Sequence, residues 1–482
     1  MASGVLILTA TLTVAQQASV TRLDGSTIST AQIDATVTRL MQAAEVTGAG
    51  IAILNDGKIA YMKGYGFRDK EKNLPLTVDS VMSAASISKA AFAYLVMKLV
   101  DDKLIDLDKP VYQYLPKPLP EYPKYAELAG DDRYKRITAR MLLSHTSGFP
   151  NWRFLEDDRK LKIHFEPGSR YAYSGEGIDL LQLVVETVAG KPLDELMDER
   201  VFRPLGMSRT SMIWQDGFES DYANGYDEYG RSVGAHRWKT ADAAGSLQIT
   251  VSDLAKLMLA VMDGKGLSPK SHEQMLAPQI AISSKHQFPS LAYERTDENK
   301  AIRLSYGLGW GLYWSPYGKA FFKEGHDDGW RNYTVCFEAP KSGIVILTNS
   351  GNGEGIFKDL LETLLKDTFT PIEWEGYTPY DKLPPRPALK QHKQVAVDPK
   401  ILDRYVGKYA VPGAVLTIRK EGDHLTVQEN DEPKQDLGAE SAVDFYSTTA
   451  DDEYTFRVDD QGHVPAMVLH TDSKDIVIKR VE

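Results

Sequence analysis

Cysteine is nearly missing from this chain of 482 residues: the single one, Cys336, lies in the apolar run Thr334-Val-Cys-Phe337. An internal disulfide is therefore impossible, and a thiol nucleophile would lack an activating neighbour, so Cys336 reads as a small buried hydrophobe. Positive charge is also in deficit. Against 67 Asp and Glu stand 56 Lys and Arg, a formal net charge of -11, and no basic cluster stands out. Neutralising phosphates needs clustered Lys and Arg, which excludes nucleic acid as a partner. The ten histidines hold no metal-ligand spacing, since His272-Glu-Gln-Met-Leu276 lacks the second histidine of His-Glu-x-x-His. Gly64-Tyr-Gly66 lacks the third glycine and the following helix of a nucleotide loop. No metal and no cofactor are expected. Long hydrophobic runs are missing too, so no transmembrane segment is expected.

What is present suits a globular enzyme of two or three structural units, with 42% hydrophobic and 26% charged residues. The run Gly4-Val-Leu-Ile-Leu-Thr-Ala-Thr-Leu-Thr-Val14, followed by Ala15-Gln16, is similar to a secretory h-region and cleavage site, although Met1 to Ser3 carry no basic residue. Residues 1–22 are read as a signal-like segment of a secreted or periplasmic protein, the alternative being a cytoplasmic chain with an apolar N-terminus. Ile51–Leu54, Asn55-Asp-Gly57 and Lys58–Tyr61 predict a hairpin. Ile87, Ala91, Leu95 and Leu99 predict one apolar face on a helix over 85–100. Helical pieces follow at 179–186 and 252–261, then strands at 319–323, 333–337 and 344–347 and a closing helix over 356–366. Strands at both ends with helices between them predict an α+β domain over 23–370 whose sheet is assembled from distant parts of the chain. Pro371, Pro379, Pro384, Pro385 and Pro387 mark a connector over 371–390. Short strands beyond it, including Val415–Ile418, Leu425–Val427, Tyr454–Val458, Met467–Leu469 and Ile476–Ile478, predict a small antiparallel sandwich or barrel over 391–482.

Ser86-Ile-Ser-Lys89 opens the first long helix, and residues three apart share a face. A lysine shielded from water gives up its proton readily enough to activate a serine hydroxyl, and a helix N-terminus favours developing negative charge. Alone, the pattern is weak and more often marks a capping serine with a solvated lysine. Its company is more specific: Ile137-Thr-Ala-Arg-Met-Leu-Leu-Ser-His-Thr-Ser-Gly148, Pro167-Gly-Ser-Arg-Tyr-Ala-Tyr-Ser-Gly175 and Phe322-Lys-Glu-Gly-His326 follow in order.

As a set, these segments resemble the β-lactamase-related serine hydrolases: class C β-lactamases, D-Ala-D-Ala carboxypeptidases, D-aminopeptidases and family VIII carboxylesterases. The resemblance covers about residues 30 to 368 and implies a three-layer αβα domain with an antiparallel sheet and a helical lobe. It also implies Ser86 as acylated nucleophile, Lys89 and Tyr173 as general base and acid, and His326 on the strand that walls the pocket. The oxyanion hole would use the backbone N–H of Ser86 and a second one near Gly329. Trp310 and Trp314 either line the acyl pocket or belong to the core. The C-terminal segment resembles the lipocalin-like β modules found behind some of these hydrolases.

Two departures stand out. The strand segment reads His326-Asp-Asp-Gly329 where the family has His-x-Gly, and Gly175 replaces the asparagine of Tyr-x-Asn. Glycine has no side chain to bond a substrate amide, which favours an esterase or peptidase acting on a small ester, amide or peptide. A penicillin-binding protein that deacylates slowly, and an inactive cell-wall-binding homologue, remain the alternatives. Gly230-Arg-Ser-Val-Gly234 matches a nucleophile elbow but follows a polar segment and precedes no helix, so it is a loop. Ser144-His-Thr-Ser-Gly148 is a helix-end motif.

Overall fold

The computed structural model describes residues 19–411, 414–430, 434–471 and 475–482. The leader-like run ending at Val14 lies outside the described residues. Ser19–Thr21 pair with Thr27–Ser29, and Val20 joins the core of the first domain. Helix α1 (Thr30–Ala43) follows, with the Ser29 side chain accepting the Gln32 N–H as its cap.

The expected hairpin is formed by β1 (Gly48–Asn55) and β2 (Lys58–Asp69), with Asp56 and Gly57 both at positive φ in the turn. Helix α2 (Ile87–Asp101) departs from the expected single apolar stripe. Its buried residues run from Ile87 almost unbroken to Leu99, as they must in a helix sandwiched between a sheet and a helical lobe. The lobe contains α3 (Gly175–Ala189), which ends at left-handed Gly190. Helix α4 (Val251–Asp263), capped by Thr250, returns to the sheet. Four strands complete the domain: β3 (Gly311–Ser315), β4 (Gly318–Asp327), β5 (Trp330–Phe337) and β6 (Ser342–Thr348).

These strands form a nine-stranded sheet in the order Ile280–Ala281, Ser305–Tyr306, β3, β4, β5, β6, β1, β2, Leu74–Pro75, each pair antiparallel. The first hairpin thus pairs with a strand almost three hundred residues later. β5 and β6 are buried throughout because both faces are covered, and side chains alternate between two cores. Val345 and Leu347 face the core that contains α2 and α4. Ile344 and Ile346 face the core that contains α1 and the helical run 353–365.

The exposed connector is shorter than its proline content suggests. Ile372, Trp374, Glu375 and Tyr377 are buried and the three hydrophobes pack into the second core, so only 381–390 is continuously exposed. Beyond it, eight strands from Gly407 to Arg480 form a closed antiparallel barrel, the first pairing with the last through Tyr409 and Arg480. Its interior is filled by Tyr409, Phe445, Phe456 and Met467, and closure leaves no free strand edge. Among the described residues, no helix is long and apolar enough to cross a membrane.

Candidate active site

Ser86 occupies the N-cap position of α2, yet its side chain caps nothing. The Lys89 Nζ donates to its Oγ at 2.9 Å, and the Tyr173 phenol lies beside the hydroxyl. Ser86 is partly open to solvent, whereas Lys89 is only 1% exposed. The arrangement excludes a capping serine with a solvated lysine. Ala85, just before the serine, has φ 49, a conformation that costs a non-glycine residue roughly 1 kcal/mol or more. Ser83 Oγ accepts the Ala85 N–H at 3.3 Å, and Ser88 Oγ donates to the Ala85 carbonyl at 2.6 Å, holding the turn in place.

Lys89 Nζ also donates to the Ala244 carbonyl at 2.6 Å. It lies 5.1 Å from the ring centre of Tyr173 and 5.5 Å from that of Trp152. Burial, with the Lys323 charge second, holds its ammonium down to about 7, because desolvation and a like charge both disfavour the protonated form. Burial, followed by the Glu324 charge, holds the Tyr173 phenol well above its ordinary value, so Tyr173 stays neutral. Tyr173 is positioned by the Ser144-His-Thr-Ser-Gly148 segment. The His145 ring lies 4.4 Å from the Tyr173 ring, and its Nδ1 accepts the Ser174 N–H at 3.2 Å. Burial holds His145 neutral, which leaves that nitrogen free to accept.

The structure does not bring His326, Gly329 or Trp310 to Ser86, and strand geometry gives the reasons. Side chains alternate along β4. Phe321 packs in the core of α2, a Cβ added to Gly325 would lie 2.3 Å from the Ala84 carbonyl, and Asp327 accepts from Ser83 Oγ at 3.2 Å. His326 therefore points to the opposite face, where its side chain is 53% exposed with its Nδ1 3.4 Å from Glu354. Gly329 sits in the β4–β5 turn at φ 82, packed against Val233 and the Tyr226 backbone. Trp310 is a core residue, edge-to-face on Phe321 at 5.2 Å. The histidine's expected place is taken by a residue three positions earlier. The Lys323 Nζ, fully buried, donates to Tyr173 Oη at 3.1 Å. β3 pairs only with residues 318–322 of β4, so the backbone beside Gly325 presents an edge without a strand neighbour to the serine.

Sequence reasoning also missed Trp152. Built on the Gly175 backbone, a Cβ would lie 2.5 Å from the Trp152 ring: the indole fills the space into which any side chain at 175 would project. Trp152 stacks on exposed Phe154, with ring centres 6.0 Å apart. On the other side, exposed Phe288 meets Tyr173 edge-on at 5.4 Å. The signal was the cluster Trp152-Arg-Phe-Leu155 in a loop just after Gly148. Gly230-Arg-Ser-Val-Gly234 lies apart, its Ser232–Gly234 strand pairing with Gly225–Tyr226.

A serine at a helix N-terminus with a buried lysine one turn on, set between an antiparallel sheet and a helical lobe, defines the class of acyl-transferring serine hydrolases. The comparison with known proteins narrows it. A family model described as Beta-lactamase matches residues 33–366, and the chain belongs to that family as a serine hydrolase. Residues 391–480 match a second model, described as a domain of unknown function, DUF3471. A Beta-lactamase from Pseudomonas fluorescens is 27% identical over 67% of this chain and 88% of its own. Penicillin-binding protein 4* from Bacillus subtilis (strain 168) is 23% identical over 87% of this chain and 92% of its own. Among solved structures, the octameric penicillin-binding protein homologue from Pyrococcus abyssi superposes with a TM-score of 0.57 at 21% identity, covering 94% of this chain and all of that one. The D-alanine carboxypeptidase AmpC from Burkholderia cenocepacia gives 0.54 at 22% identity over 66% of this chain and 93% of that one. Both likenesses concern the fold.

Proposed function

We propose that this chain hydrolyses small esters or amides bearing an apolar group, through an acyl-enzyme on Ser86. The contact of Lys89 with Ser86 carries the reading: a lysine held near neutrality by burial can receive the serine proton as Oγ attacks the substrate carbonyl. The oxyanion is stabilised by the Ser86 N–H at the start of α2 and by a backbone N–H on the free edge of β4 beside Gly325. The proton then passes through neutral Tyr173 to the leaving group. Water attacks the ester carbonyl of the acyl-enzyme, gives a proton back to Ser86 through the same relay, and releases the acid.

Substrate class follows from the walls of the cleft. Trp152, Phe154 and Phe288 offer apolar surface, and Gly175 offers no side-chain amide. The site is suited to an apolar acyl or leaving group rather than to one that needs an amide partner. Gly175→Asn should force the indole, the free end of a flexible side chain, away from Lys89. We expect kcat/KM for apolar p-nitrophenyl esters to fall about tenfold, with most of the loss in KM. Combining it with Trp152→Ala should restore room for the asparagine and raise the rate of acylation by penicillin. An unchanged ester preference in both variants would dismiss the aromatic wall as a specificity element.

The missing amide also favours a second reading, a penicillin-binding protein that acylates and releases slowly. Intact-mass measurements after a fluorophosphonate and, separately, after penicillin separate the two, with Ser86→Ala as control. A fluorophosphonate adduct dependent on Ser86 together with ester turnover supports the hydrolase. A lasting penicillin adduct without ester turnover supports the penicillin-binding protein, and no adduct from either reagent would point to an inactive homologue.

A further inference from the structure

We propose that Glu375, on the segment entering the connector, is a protonated acid that hydrogen-bonds the Glu324 carboxylate, and that this pair sets the charge beneath Lys323. Glu375 is thereby a positioning residue for Tyr173 and Lys89. The inference rests on the serine-hydrolase reading of Ser86, but its first test does not use turnover.

The contacts form one buried chain. Ser86 lies beside Tyr173, Lys323 Nζ donates to Tyr173 Oη at 3.1 Å, and the same Nζ donates to Glu324 Oε1 at 2.7 Å. Glu324 and Glu375 are each 4% exposed and lie within hydrogen-bond contact of one another. Glu375 Oε2 accepts from Tyr333 at 2.7 Å, whereas its Oε1 finds no donor among the described residues. Two buried carboxylates in contact cannot both be ionised beside one ammonium, and an orphaned buried oxygen is costly. A proton on Glu375 Oε1 resolves both conflicts by turning that oxygen into the donor to Glu324. Burial, with the Glu324 charge second, holds the Glu375 carboxyl well above the usual range.

The segment is firmly built in. Trp374 Nε1 donates to the Ser284 carbonyl at 3.1 Å, and the Gln287 N–H donates to the Trp374 carbonyl at 2.9 Å. Gln287 Nε2 reaches Glu324 Oε1 at 3.2 Å. Besides Lys323 and Glu324 of β4, the groups facing Glu375 are tyrosines: Tyr333 of β5, Tyr313 of β3, and Tyr171, Tyr173, Tyr306 and Tyr377. Lys89 is faced by Lys323, Glu324, Asp242 and Asp179 and by neutral His145. A net-neutral Lys323–Glu324 pair keeps the like charge on Lys89 moderate; stripping the negative member would leave Lys323 uncompensated.

Infrared difference spectra of the full chain at neutral pH test the proton directly. Wild type minus Glu375→Gln should show the C=O stretch of a protonated carboxylic acid, and Tyr333→Phe, which strips a donor from Oε2, should move that band to higher frequency. Tyr333→Phe carries the test if Glu375→Gln does not fold. The pH dependence of kcat/KM supplies the second arm. Glu324→Gln should move the acid limb down by about one pH unit, because the unpaired Lys323 ammonium then disfavours protonated Lys89. Glu375→Leu should lower kcat/KM about tenfold, and Glu375→Gln, whose amide can still donate to Glu324, should recover most of that loss. The proposal is overturned if the difference spectrum shows an ionised carboxylate instead, if Tyr333→Phe leaves the acid band unmoved, or if Glu375→Gln shifts the limb as far as Glu324→Gln. A loss of all activity in wild type would strike the serine-hydrolase reading and leave the infrared result standing.

Discussion

Ser86→Ala is expected to lower kcat/KM for any hydrolysed ester by at least ~10³-fold while leaving the fold intact, since removing the nucleophile of a covalent mechanism leaves only oxyanion and binding contributions. The structure explains why the variant should fold. The Ser86 side chain caps no backbone group of α2, and its partners Lys89 and Tyr173 keep the Ala244 carbonyl and Lys323. The expected loss of stability is below about 1 kcal/mol, that of one exchanged hydrogen bond. Steady-state rates and a urea melt read the two quantities separately. Retention of more than about a tenth of the wild-type rate would remove Ser86 from the mechanism.

The second large effect concerns Lys89. Its folded value, held down to about 7 by burial, means that the neutral amine becomes the majority form as pH rises through 7. If neutral Lys89 is the base, kcat/KM on an uncharged ester should climb about tenfold per pH unit at acid pH and flatten above about 7. Lys89→Ala should cost ~10³-fold or more, and Lys89→Arg should not rescue it, because a guanidinium stays protonated throughout this range. A pH profile flat down to about 5 would assign proton transfer elsewhere. An active Lys89→Arg enzyme would do the same.

Much of this site was legible as sequence because its parts are local. Ser86 and Lys89 are one helical turn apart, so their proximity follows from helix geometry alone. The Asn55-Asp-Gly57 turn, the Gly190 stop of α3 and the Thr250 cap of α4 are likewise decided by the residues that form them. Lys323 was harder to find. The motif around Phe322-Lys-Glu-Gly-His326 locates the correct strand, but which side chain reaches the pocket depends on where β3 stops pairing and which face of β4 meets Ala84. A strand alternates faces at every residue, so a reading centred on His326 places the wrong side chain at the serine. The connector misled for a different reason: prolines mark a break in regular structure without saying whether it is exposed, and Ile372, Trp374 and Glu375 are buried.

By itself the sequence determined the order of elements, the division into an α+β domain and a C-terminal β domain, and the pairing of Ser86 with Lys89, because each depends on periodicity, turn chemistry or helical spacing over a few residues. Only the tertiary structure decided what lies across from them. Trp152 against Gly175, Lys323 on Tyr173 and Glu375 beneath Glu324 join segments far apart in the chain. The same holds for closure of the barrel through Tyr409 and Arg480. Such contacts are set by how sheet register and twist bring remote backbone together, and no local pattern of residues encodes that distance.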